Sequence, residues 1–404
     1  MLQSGTGIEQ VTMDAPLDRL RALVLADEAL QMELVLCREP DRFAGVAIAA
    51  ADRHGLSLAP EELAPVFAAD PLGLFRPEGA SVGIPAWPSR HWLPVDLAPG
   101  PDGAIGVGWA HFAGAPLAEP FYTESARRAL ARPLNALLGC RTPLDDFIAD
   151  GAARDAPAPD GFIFHMSHCG STLVAQMLAA LAGTIVVSEA PPLDAMVHLA
   201  FRAPWPAERR IAALRAMVGA LGRRREEGAR LIVKLNFWHA LALPLFRQAF
   251  PATPWLFLHR DPAAVLAAQM RERGTELLPE LMPAEIYGIE GGMKLPAEQY
   301  CARAIARVCA AALDQADAGG GLILEHARLP DAVCSIVMPH FGMACGAAER
   351  AAMAAVPLRH AKRPRDAYRP EALPVGPAVR EAVDAHLAPV HRRLGDVAAS
   401  AKLL

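Results

Sequence analysis

One stretch of the chain concentrates residues able to hold an anion. It reads Phe162-Ile163-Phe164-His165-Met166-Ser167-His168-Cys169-Gly170-Ser171-Thr172-Leu173, an apolar strand running into a polar glycine loop and then into a helical pattern. Successive backbone N–H groups in a turn that opens a helix cradle a phosphate or sulfate, aided by the partial positive charge of the helix N-terminus. Ser167, His168, Cys169, Gly170, Ser171 and Thr172 are therefore the candidate anion-binding residues: Ser171 and Thr172 add hydroxyl donors, and Gly170 lets the backbone approach closely.

Two further apolar runs end in charge. Val186-Val187-Ser188-Glu189 brings a carboxylate to a strand end, which makes Glu189 the candidate general base. Leu231-Ile232-Val233-Lys234 brings a lysine to the next, where it faces the same anion as a candidate catalytic cation. Lysine is scarce here, at four of 39 basic residues, so one inside an apolar strand stands out. A fourth run, Trp255-Leu256-Phe257-Leu258-His259, passes into Arg260-Asp261-Pro262 and a helix; Arg260 either holds an anion or pairs with Asp261.

The loop is not a Walker A motif, because Ser171 stands where lysine is required. Nor is it the HCxxxxxR loop of tyrosine phosphatases, because Ala175 occupies the arginine position. Taken together, residues 161–370 resemble the PAPS-dependent sulfotransferases (PAPS is 3'-phosphoadenosine-5'-phosphosulfate), whose loop reads basic-Ser-Gly-Ser/Thr-Thr; His168 to Thr172 carry the likeness. The resemblance implies PAPS as cosubstrate, its 5'-phosphosulfate on the loop with His168 in the place of the family's lysine or arginine. Arg260 would take the 3'-phosphate, and a C-terminal basic segment, here Arg359 to Arg365 with Lys362 and Arg363, would close over the nucleotide.

Three departures accompany it. The family's Lys-x-His has Asn236 at the histidine, which moves the base to Glu189; the serine eight residues beyond the arginine is Ala268, with Gln269 as the adjacent substitute; and His168 carries full charge only below about pH 6.5 unless an anion raises it. The implied reaction moves a sulfuryl group to the hydroxyl of a small molecule or peptide and needs no metal. Alternatives are a nucleotide-binding pseudoenzyme or peptide-binding partner protein and, further off, an ATP-dependent phosphotransferase.

The elements that must position these residues are legible as a pattern. Short apolar runs at 161–166, 184–188, 230–235, 254–259 and 321–325 alternate with helical periodicity, which predicts an α/β fold: a P-loop-type parallel sheet flanked by helices, its ligand at the carboxyl ends of the strands. Residues 161–404 form this domain. Residues 1–70 read as a small helical module, with an amphipathic run from Pro16 to Leu36, another from Phe43 to His54, Gly55 as C-cap and a third start near Pro60. Asp27-x-x-Leu30-Gln31 and Gly55-Leu56-Ser57 are similar to the nitrogen-fixation-related leader-peptide domain of modified-peptide precursors. Between them, 71–160 is a Pro- and Trp-rich segment with one alternating strand at Ile105–Phe112, a helix from Thr123 to Leu138 and a linker at Ala152–Pro159.

A net charge of −5 argues against nucleic acid as the main partner. His91 and His111 lack metal-ligand spacing. Seven cysteines at irregular spacing do not read as a disulfide frame and fit a reducing cytoplasm. Residues 1–15 show no basic-then-apolar leader. The acid- and base-free span Gly161–Ser188 imitates a membrane helix on hydropathy, but polar loop residues interrupt it, so no membrane span is expected.

Overall fold

The computed structural model describes residues 15–67, 82–84, 86–100, 103–154, 156–223, 228–367 and 373–400. The opening residues 1–14, the start of the Pro/Trp segment up to residue 81, Pro85, Pro101 and Asp155 of the expected linker lie outside them. The chain divides into two compact units. One comprises Met1–Leu93, Ala98–Ala115 and Ala126–Asp146, the other Pro94–Leu97, Pro116–Ser125 and Phe147–Leu404.

In the first unit the expected run from Pro16 to Leu36 is two helices, Pro16–Ala26 and Glu28–Val35. Asp27 breaks it: its backbone is extended, and its carboxylate accepts the N–H groups of Ala29 (2.8 Å) and Leu30 (3.1 Å), so the residue caps the second helix. Gln31 is buried and donates to the carbonyls of Val24 and Leu25 while accepting from Trp92 Nε1 at 2.9 Å. The third helix, Pro40–Arg53, closes at Gly55 with Leu56 N–H on the Ala51 carbonyl.

Strands β1 (Trp92–Pro99), β2 (Ile105–His111) and β3 (Arg141–Pro143) form a small sheet in that order. The expected helix from Thr123 to Leu138 is broken as well, into Tyr122–Leu130 and Pro133–Leu138, because proline at 133 can start a helix but not continue one.

The second unit is the α/β domain. Its sheet comprises β4 (Gly161–His165), β5 (Thr184–Ser188), β6 (Arg230–Lys234), β7 (Trp255–His259) and β8 (Gly321–Glu325), in the order β5-β6-β4-β7-β8. All four pairings are parallel. Every residue of β4 and β7 is buried, which is why these strands read as unbroken apolar runs without alternation. Phe162 and Phe164 meet Phe246 edge-on at 5.2 and 5.6 Å, and Phe164 meets Trp255 at 6.4 Å, so an aromatic cluster anchors the central strand.

β4, the first strand of this sheet in sequence, lies in the middle: the chain runs from it to β5 and β6 on one side, then crosses to β7 and β8 on the other. The loop that follows β4 therefore sits at the topological switch point, where parallel α/β sheets bind ligands. β9 (Arg359–His360) and β10 (Arg363–Ala367) pair antiparallel, turning the expected basic loop into a hairpin.

Cysteine usage corrects an expectation. Cys334, in the helical segment Val333–Val337, and Cys345 form a disulfide with Cα atoms 5.5 Å apart. Cys37, Cys140, Cys169, Cys301 and Cys309 are buried thiols. The cysteines thus give no argument for a reducing compartment. Among the described residues no helix is long and apolar enough to cross a membrane.

Candidate active site

The anion loop occupies Met166–Gly170 and opens the helix Ser171–Ala179. Its backbone is held in a conformation that side chains resist. Ser167 and His168 have φ of +68° and +43°, and Gly170 has +89°. A Cβ on Gly170 would lie 2.7 Å from Leu329 Cδ1 and 3.0 Å from His326 Cδ2, so only glycine fits there. Left-handed non-glycine residues cost of order 1–3 kcal/mol each and persist only where the surroundings over-determine them. Here they do: Gln269 Nε2 donates to Ser167 Oγ at 2.9 Å, and Arg260 Nη1 donates to the His168 carbonyl at 3.2 Å.

Register brings the charged strand ends to the same level. Lys234 lies opposite Ser188 on one side and Ile163 on the other. Glu189, the next residue after Ser188, has φ +49° and donates its N–H to the Lys234 carbonyl at 2.8 Å. Its carboxylate Oε1 accepts from Lys234 Nζ and lies 3.4 Å from His165 Nε2. Lys234 is 1 % exposed, with its ammonium 5.3 Å from the Phe121 ring. The lysine is thus buried, with a carboxylate in contact.

Burial pushes the Glu189 carboxyl up, but the Lys234 ammonium and His165 outweigh it and hold the group well below the carboxylate range. At neutral pH Glu189 is an anion with a low proton affinity.

His168 is pushed down to about 4 by burial and by the nearby Lys362, so its imidazole is neutral in the free protein. Cys169 is fully buried, and burial pushes its thiol up to about 11; it lends the loop its backbone and no thiolate. Ser171 and Thr172 open the helix as the spacing predicts. Arg260 follows β7 beside the loop, and Asp261 caps the next helix through the N–H groups of Ala263 and Ala264, so the alternative pairing of Arg260 with Asp261 is not the arrangement found.

Two of the expected nucleotide ligands have partners within the chain. Gln269 is fully buried, and both ends of its amide are engaged, donating to Ser167 and accepting from Gly274 N–H at 2.9 Å, so that it braces the loop. Arg363 is 69 % exposed and pairs with Asp366 at 3.3 Å, leaving Lys362 as the hairpin cation within electrostatic reach of His168.

Sequence reading passed over three groups. His165 looks like one more strand residue. Asp194, in the first turn of the helix Pro191–Arg202, accepts at one oxygen from Asn236 Nδ2 (2.5 Å) and Trp238 Nε1 (2.8 Å), with His239 Nε2 3.0 Å away. Burial alone would raise Asp194, but these partners bring it down to about 2. His239 does not replace the missing base, since its Nδ1 accepts the Asn236 N–H and its Nε2 faces Asp194. Glu276 is raised by burial and by Glu189 and Asp194, which puts a third acid on this side of the site. Only the position of Asp194 at a strand-to-helix junction hinted at it.

Among the described residues no group of three histidines, cysteines or acids is placed to hold a metal ion. The site can bind an anion on the loop, meet its charge with Lys234, Arg260 and Lys362, and set a carboxylate beside it.

No protein-family model matches the sequence, and neither does any curated protein. Among solved structures, the crystal structure of sulfotransferase STF9 from Mycobacterium avium is similar, with 12 % identity and a TM-score of 0.38 over 65 % of this chain and 84 % of that one. At that score the likeness carries no argument about fold, substrate or mechanism.

Proposed function

We propose that the protein is a sulfotransferase that moves a sulfuryl group from PAPS to the hydroxyl of a small molecule or peptide. One observation carries the reading: a buried lysine and a carboxylate from neighbouring strands meet beside a glycine loop whose backbone takes positive φ at Ser167, His168 and Gly170. That loop opens a helix with Ser171 and Thr172 as its first residues, a donor set that suits the 5' end of the cosubstrate. At the 3' end they fit in part, since Ala268 is buried, Gln269 is occupied, and Arg260 alone remains.

PAPS, when bound, supplies a sulfuryl group whose bond to the 5'-phosphate breaks as the acceptor oxygen forms its new bond to sulfur. The loop N–H groups, with Ser171 and Thr172, hold the phosphosulfate. Lys234 turns from Glu189 to the negative charge that develops between sulfur and phosphate. Glu189, released from its cation, gains proton affinity and takes the acceptor's proton, a role typically worth about 10²–10⁴ in rate. The base is thus unmasked by the anion that needs it.

The same ion pair is what favours a second reading, a nucleotide-binding protein without turnover. If Lys234 stays on Glu189 when nucleotide binds, the carboxylate remains too weak a base. Calorimetric titration with adenosine 3',5'-bisphosphate, AMP and ATP, followed by labelled PAPS with a panel of hydroxylated small molecules and peptides, tests both. Preference for the bisphosphate with transfer to an acceptor supports the enzyme; the same preference with no transfer supports the binding protein. Equal affinity for all three nucleotides overturns the PAPS reading, and no binding of any of them overturns both.

A further inference from the structure

We infer that His165 is a positioning residue that couples the anion loop to the base: its ring bridges the backbone of Ser167 and the carboxylate of Glu189. The inference deepens the sulfuryl-transfer reading and rests on it for its kinetic consequences.

The tautomer follows from geometry. Ser167 N–H donates to His165 Nδ1 at 3.1 Å, so that nitrogen is an acceptor and carries no proton. The ring proton is then on Nε2, which lies 2.9 Å from the Leu235 carbonyl and 3.4 Å from Glu189 Oε1. The side chain is 6 % exposed, and the charged or titratable groups facing it are Glu189, Lys234 and His168. A histidine with both nitrogens engaged would ordinarily be a packing residue.

What distinguishes His165 is the identity of its partners. Among the described residues, Ser167 and Glu189 are two of the four non-glycine residues with positive φ, and each belongs to the candidate site. The ring touches the backbone of one and the carboxylate of the other. It therefore holds two strained turns, after β4 and after β5, in a fixed mutual geometry. The amide of Gln269 secures the side chain of Ser167, and Lys234 secures Glu189, but neither joins the two.

Two substitutions separate the halves of the bridge. In His165→Asn the amide oxygen sits where Nδ1 was and keeps the loop contact, while the reach to Glu189 is lost. In His165→Gln the amide nitrogen sits where Nε2 was and keeps Glu189, while the loop contact is lost. The Asn variant should hold adenosine 3',5'-bisphosphate nearly as well as the parent protein and lose turnover by about 10²-fold, the usual consequence of a misplaced catalytic group. The Gln variant should lose about tenfold in bisphosphate affinity, the loss of one hydrogen bond's worth of loop order. Equal losses of affinity and turnover in both variants, or full turnover in the Asn variant, overturn the inference.

Nitrogen-15 spectra of the imidazole give a readout independent of activity. The Nε2–H tautomer should be the form seen at neutral pH, and Glu189→Gln should move the Nε2 resonance and leave Nδ1 in place. A ring protonated at Nδ1, or an Nε2 resonance indifferent to Glu189→Gln, refutes the bridge whatever the protein transfers. If no nucleotide binds while the spectra behave as stated, sulfuryl transfer fails and the bridge stands.

Discussion

Lys234 and Glu189 are joined twice: the lysine ammonium donates to the glutamate carboxylate, and the glutamate N–H donates to the lysine carbonyl at 2.8 Å. The second bond extends the β5–β6 ladder by one residue past the strand and turns the carboxylate back over the sheet edge. Backbone pairing therefore fixes where the ion pair forms. The ladder holds the two backbones in register, and Lys234 is 1 % exposed.

Removing one partner should cost more than removing both. Lys234→Met leaves the Glu189 carboxylate beside His165 without its cation, and losing one member of a buried pair typically costs ~3–5 kcal/mol. Glu189 is 25 % exposed, which places the expected loss toward the lower end. Adding Glu189→Gln should restore much of it. Denaturation midpoints of the two single variants and the double variant check this, and strictly additive losses would show that the pair is not coupled. The pH sign follows from the lowered carboxyl: its contribution is complete above the ordinary value of 4.5 and is lost as pH falls toward the depressed one.

Gly170→Ala should abolish anion binding and destabilise the fold, because the new Cβ meets Leu329 and His326 as well as an unfavourable φ. Gly183→Ala provides the control. Gly183 also has positive φ, at +70°, but nothing lies within 4 Å of its Cβ, so it should cost only the backbone strain of ~1–3 kcal/mol and leave anion affinity intact. Equal effects at the two positions would mean that the close approach at Gly170 is immaterial.

The parallel sheet was legible because its signal is local: each strand is a short apolar run, fully buried in β4 and β7 and partly so at the edges, and the runs at 184–188 and 321–325 coincide with β5 and β8 to the residue. The loop was legible for the same reason, since Ser167 to Thr172 sit together in sequence. What stayed hidden depends on contacts between distant residues. His165 is 24 residues from Glu189 along the chain, and nothing in a run of phenylalanine and isoleucine distinguishes a bridging ring from a packed one. Gln269 and Arg363 failed the other way: their types suit an anion, but Ser167 and Asp366 had already claimed them. In the N-terminal unit Asp27 and Gln31, the residues of the leader-peptide likeness, act as a helix cap and a buried brace, roles that a helical hairpin needs whatever it recognises.

Arg260 should distinguish nucleotides. If it is the remaining 3'-phosphate ligand, Arg260→Ala lowers affinity for adenosine 3',5'-bisphosphate by ~1.5–3 kcal/mol, the worth of a charge-assisted contact. AMP should weaken less, and only through the loosened His168 carbonyl that Arg260 also holds. Parallel losses for both ligands in calorimetry would assign Arg260 to the loop alone.

The last prediction concerns His168. Burial and Lys362 push the imidazole down to about 4, so at neutral pH the free protein presents a neutral ring where the sulfotransferases place a fixed cation. An anion bound on the loop favours the protonated ring and raises its pKa, so binding at neutral pH should take up a proton. Affinity for adenosine 3',5'-bisphosphate should then fall as pH rises through the bound-state value, because a cation stabilised by its anion contributes below that value and not above it. Calorimetry in buffers of different ionisation enthalpy counts the protons directly. Lys362→Ala removes one hairpin cation from the anion, but it also relieves His168; its effect should therefore be smaller at low pH, where the histidine is charged, than at high pH. His168→Arg carries its charge throughout and should bind with no proton uptake and a flatter pH profile. An unchanged proton count in that variant would place His168 outside the anion's shell and leave the hydrogen bonds of the loop backbone, with Lys234, to hold the ligand.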